Sequence, residues 1–165
     1  MTKGADQDRQ ALTERICTFI REVGFEVRAE ALTGPTGLPG MTIRHGVILY
    51  DPATDYAPGD LLHEAGHLAV CRPELRDTPE MEASGADELS ATAWSFAAAR
   101  HLGLPTEVVF HPTSFKGEGP NMAECFDAGL YYGTPLLQLY GMTLEAKRAT
   151  ADGPPPFPHM LRWVR

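Results

Sequence analysis

The chain has 165 residues, 43% hydrophobic and 22% charged, which suits one domain with a proper core and excludes both a disordered chain and two comfortable domains. A formal net charge of −8 repels polyanions, so nucleic acid is not the expected ligand. Cys17, Cys71 and Cys125 are far apart and form neither a C-x-x-C pair nor a disulfide framework. The polar first residues lack a signal peptide's apolar core, and no run is long enough to span a membrane; the expectation is a cytoplasmic protein with a single domain over 1–165.

In chain order, Leu12, Ile16, Phe19, Ile20 and Val23 recur at helical spacing, with Gly24 as a stop, so a helix is predicted over about residues 8–23. Residues 25–30 alternate apolar and polar as a half-buried strand does, and residues 33–40 are loop, dense in Gly and Pro. Met41–Arg44 and Val47–Tyr50 flank His45-Gly46 as the arms of a hairpin. Asp55 or Asp60 is expected to cap the next helix, which Pro73 ends.

Residues 72–83 form a polar connection, and Ser84-Gly-Ala-Asp87 has the form of a capping box ahead of an alanine-rich helix that Gly103 and Pro105 terminate. Residues 111–120 are loop-like. Short helices are expected over 121–131 and 135–140, with a last helical piece from Thr143. Residues 153–158 are too rich in proline for a helix, and residues 160–165 carry enough apolar surface to dock on the body. The predicted class is α+β, mainly helical, with a small N-terminal antiparallel hairpin packed on the helix that begins near residue 60.

That helix carries the chemistry. His63-Glu64-Ala65-Gly66-His67 has the form H-E-x-x-H, which sets two imidazoles on one helical face within reach of one metal ion. Glu64 then stands beside the first ligand as the general base of a water activated by the metal. The flanking Leu61, Leu62, Ala65, Leu68 and Ala69 make the helix a buried one, so two histidines and a glutamate need a reason to be there. Gly66 costs helix stability, which a close approach by another backbone would explain.

A third ligand must come from elsewhere. Cys71 shares the stripe, but eight residues of helix span about 12 Å, too far for His63 and Cys71 to share an ion; Cys71 is expected in the core. Glu74, Asp77, Glu80 and Glu82 lie in or beside a connection where charge is ordinarily solvated. Glu88 shares a helix face with the small Ala91, Thr92 and Ser95, which allows close approach to His63 and His67. Asp87 is shorter and has a capping duty. Glu88 is therefore preferred, with Asp87 as the alternative.

Val47-Ile-Leu-Tyr-Asp-Pro52, then Leu61-Leu-His-Glu-Ala-Gly-His-Leu68, then Glu88-x-x-Ala91-Thr-x-Trp94 resemble the ImmA/IrrE type of zincin-like metallopeptidase over about residues 41–101. The resemblance implies Zn2+ held by His63, His67 and Glu88, with Glu64 as catalytic base. Thr92 departs from the family's usual asparagine and Trp94 from its usual phenylalanine, which keeps Asp87 open as the ligand.

The expected partner is a peptide or protein substrate. Some members of that family cleave a DNA-binding repressor encoded as a separate chain, so a separate regulatory protein belongs to the same class. The hairpin strand over 47–50 is expected to align an extended peptide by edge pairing. Tyr131, Tyr132, His101 and His111 are considered as oxyanion donors, but core packing for the tyrosines, the helix dipole for His101 and a surface or lid loop for His111 are the competing readings. His45 and His159 are expected to be exposed. A metal-binding, partner-binding module without hydrolytic activity is the alternative to a zinc metallopeptidase.

Overall fold

A computed structural model describes residues 3–79 and 84–165; Glu80 and Glu82, considered above as acidic candidates, lie outside the described residues. The described residues form an α+β fold with five α-helices and a three-stranded sheet. Helix α1 spans Lys3–Val23, starting five residues before the predicted bound, and buries Ile16, Phe19 and Ile20. Among the described residues no helix is long and apolar enough to cross a membrane.

Strands β1 (Glu26–Ala29), β2 (Met41–Arg44) and β3 (Val47–Tyr50) lie in the order β1-β3-β2. The β2–β3 hairpin turns through His45 (φ 49°) and Gly46 (φ 73°), the two left-handed residues a tight hairpin turn requires. Two expectations fail here. The sheet is mixed rather than antiparallel, because β1 pairs parallel to β3 with Glu26 opposite Val47. And β3 is the central strand, its backbone engaged on both sides by β1 and β2, so it has no free edge for a peptide.

Helix α2 (Asp60–Val70) is buried along nearly its whole length. Neither Asp55 nor Asp60 caps it: the N-cap is Gly59, with no side-chain cap. A side chain at Gly59 would collide with the carbonyl of Val108, so the contact excludes every ordinary capping residue. The first turn is closed instead by backbone bonds from Asp60 and Leu61 to Ala57 and Pro58. Cys71 and Arg72 are extended ahead of Pro73, which ends the helix as predicted. Cys71 is half-buried rather than in the core.

Helix α3 (Gly85–His101) begins on the predicted capping box: Asp87 N donates to Ser84 Oγ at 3.3 Å and Ser84 N donates to Asp87 Oδ2 at 3.0 Å. It packs on α2 where Gly66 meets Ala91. A Cβ at Gly66 would stand 2.7 Å from the Ala91 carbonyl oxygen and 3.1 Å from its Cα. The concession inside α2 is thus explained by two helix backbones in close approach. Gly66→Ala is expected to destabilise the fold by about 1–3 kcal/mol despite alanine's better helix propensity, measured by urea unfolding; a stabilised variant would refute this reading.

Helices α4 (Gly119–Asp127) and α5 (Thr134–Leu139) complete the body. No α-helix starts at Thr143: Thr143 bridges to Met160, Glu145 N donates to Gln138 Oε1 at 2.9 Å, and only Ala146–Arg148 forms a 3-10 turn. These long-range bonds override local helix preference. The tail docks as expected: Trp94 Nε1 donates to the Trp163 carbonyl at 2.9 Å, and Arg165 N donates to the Ala69 carbonyl of α2 at 3.0 Å. One continuous apolar cluster runs from Ile16 through α2 and α3 to Phe157.

Candidate metal centre

The packing of α2 on α3 brings His63, His67 and Glu88 together. Ala91, Thr92 and Ser95 are fully or almost fully buried, so the face of α3 that includes Glu88 is small and admits the two imidazoles of α2. His63 Nε2 and His67 Nε2 are 3.0 Å apart. Glu88 Oε2 lies 3.4 Å from His63 Nε2, and Oε1 lies 3.5 Å from His67 Nε2.

Donors about 2.0–2.2 Å from one ion at tetrahedral angles stand roughly 3.3–3.6 Å apart, so this triangle has nearly the dimensions of a three-ligand site. The group can hold a metal ion. Asp87 does not join it, since its carboxylate is committed to Ser84. Nor does Cys71, whose thiol faces the Arg72 carbonyl.

Charge and burial favour cation binding. Burial, reinforced by the neighbouring His63, pushes His67 down to about 4, so near neutral pH its ring is uncharged and does not repel a cation. Glu88 is lowered by its hydrogen bond to His63 and remains an anion. The imidazoles are buried, whereas the Glu88 side chain is 51% exposed, so the donor set opens to solvent on the Glu88 side. One feature departs from braced metal sites: Nδ1 of His63 and Nδ1 of His67 are both buried without a hydrogen-bond partner among the described residues.

Comparison with family models, with curated proteins and with solved structures finds no match.

Glu64, partly exposed beside His63, is pushed up to about 7 by burial, with Asp60 and Glu88 adding repulsion. The two shifts act oppositely on the metal-free fold. Glu64, raised from 4.5, contributes stability that is complete below 4.5 and is lost as pH rises through about 7. His67, lowered from 6.5, contributes stability that is complete above 6.5 and is lost as pH falls through about 4. Glu64→Gln removes only the first. In chelator, its stability relative to wild type is expected to rise between pH 5 and pH 8 in urea unfolding, and a difference that does not change with pH would count against the burial of Glu64.

Two contacts around the centre were not evident from the sequence. Asp60, one turn before His63, receives His111: Asp60 Oδ1 to His111 Nε2 is 2.9 Å, and both side chains are largely buried. His111 Nδ1 is 3.0 Å from Thr113 Oγ1. Both ring nitrogens are thus occupied, and His111 fastens its loop to α2 rather than standing free as an oxyanion donor. Phe115, from the same loop, sets its ring at 90° to His63 with centroids 5.3 Å apart. Nothing in its local sequence announced that.

The remaining candidates lie elsewhere. Tyr131 packs among Phe96, Phe126 and Phe157, as a core tyrosine would. Tyr132 is 46% exposed and donates to Cys125 Sγ, so it is not core. His101 lies against Phe19 and Trp163 at the end of α3. His45 and His159 are exposed, as expected.

Proposed function

We propose that the chain is a zinc-dependent metallopeptidase of the zincin type. The observation that carries this is the convergence of His63 Nε2, His67 Nε2 and the Glu88 carboxylate on one point, with Glu64 beside it on the same helix. Two imidazoles and one carboxylate suit zinc, and three protein donors leave a position open, the pattern of catalytic rather than structural zinc sites. The resemblance of residues 41–101 to the ImmA/IrrE type supports the same reading.

When bound, zinc supplies Lewis acidity that makes water a better nucleophile near neutral pH and polarises a carbonyl oxygen. The chain's own part is positional and protonic. His63 and His67, anchored on a buried helix, and Glu88, projecting from α3, fix the donor triangle. Glu64 takes the proton of the attacking water and passes it to the leaving amine. Its carboxyl, held near 7, can both gain and lose that proton around neutral pH. The substrate class is a peptide or protein, a separate regulatory protein included, encountered in the cytoplasm.

The test is metal dependence. Zinc-loaded protein incubated with a proteome-derived peptide mixture is expected to create new N-termini, to stop doing so in chelator, and to resume when zinc is restored. A zinc-loaded sample that creates no new termini refutes peptidase activity and leaves a metal-binding module.

A further inference from the structure

We propose that Phe115 is the substrate-selecting wall of the metal centre, and that it receives an aromatic or large aliphatic residue beside the scissile bond; this rests on the metallopeptidase reading. The ring stands at 90° to His63 at 5.3 Å and is backed by Phe110 at 5.7 Å. Phe110 is buried, whereas Phe115 is only half-buried, so part of this aromatic residue remains open to solvent beside His63.

The backbone gives the second observation. Phe115 (φ 51°), Lys116 (φ 60°) and Gly117 (φ 95°) are consecutive left-handed residues, a conformation that suits only the glycine among them. The loop is held in it from all sides. His111 is tied to Asp60, Ser114 Oγ donates to the His111 carbonyl at 2.8 Å, and Glu118 N donates to the Phe115 carbonyl at 3.2 Å. Gly119 lies so close to His111 and Ser114 that no side chain fits there. Filling space beside Phe110 would not require a strained backbone. The effect of this one is to aim Phe115 at His63, and imposed strain of this kind clusters at ligand-contacting positions.

The experiment uses the zinc-loaded chain and two probes with the same metal-binding head, acetohydroxamic acid and phenylacetohydroxamic acid, titrated by calorimetry. In wild type the phenyl compound is expected to bind about tenfold tighter, the gain of one aromatic pair. Phe115→Asn keeps a residue that tolerates the left-handed backbone but removes the ring, and is expected to reduce the preference to less than about threefold with zinc content unchanged. If that variant does not fold, Phe115→Gly, which relieves the backbone, serves the same comparison. Equal affinities in wild type, or an undiminished preference in the variants, overturn the proposal. A phenyl preference without peptide cleavage refutes the peptidase and leaves Phe115 an apolar ligand wall without a scissile bond, whereas cleavage with no apolar residue beside the cut site refutes the wall. Failure to bind zinc overturns both.

Discussion

Glu88→Ala is expected to lower zinc affinity by more than about 100-fold, measured by competition with a chromophoric chelator, while Asp87→Ala retains the metal. Outer partners of metal ligands are worth about 10–100-fold, and the direct ligand should exceed them. The neighbouring carboxylates differ in employment. Glu88 reaches both imidazoles at 3.4 and 3.5 Å, whereas Asp87 closes the cap of α3 on Ser84. Asp87→Ala should therefore cost about 1 kcal/mol of fold stability. Undiminished zinc in Glu88→Ala would exclude it as a ligand, and zinc loss confined to Asp87→Ala would show that the first turn of α3 rearranges around the ion.

Glu64→Gln is expected to leave zinc content unchanged and to lower kcat/KM by about 100- to 10,000-fold, the range for losing a positioned general base. Glutamine keeps the size and a hydrogen-bonding tip but cannot accept the water's proton. Peptide cleavage at wild-type rates in this variant would refute the assigned role of Glu64. Loss of zinc would instead mean that Glu64 supports the donor triangle, which a metal assay on the same sample separates from lost chemistry.

What the sequence made legible was local and periodic. The H-E-x-x-H spacing, the Ser84–Asp87 capping box and the apolar stripe of α1 each depend on residues within a few positions of one another, where helix geometry dictates who meets whom. Gly66 was also readable, since a glycine inside a buried helix implies a neighbour too close for a methyl group. The rest depended on distant partners. β3 became central because β1 pairs with it across the intervening loop and strand. The helix expected at Thr143 gave way to bonds with Met160 and Gln138. Gly59 displaced the aspartates as cap because Val108 crosses there. The pair Asp60–His111 joins residues 51 positions apart, and Phe115 takes a conformation its local sequence disfavours.

Among the described residues nothing accepts from Nδ1 of His63 or of His67, which bears on how firmly the centre would keep an ion. An acceptor at that nitrogen ordinarily locks the imidazole tautomer with Nε2 free for the metal, and makes Nε2 more basic; its removal costs about 10–100-fold in affinity. Neither ring has such a lock. The two Nε2 atoms are 3.0 Å apart, so without an ion one ring can carry its proton on Nε2 and donate it to the Nε2 of the other. A metal ion would have to displace that bond to reach both rings. Occupancy is then expected to rise and fall with the free metal around the protein.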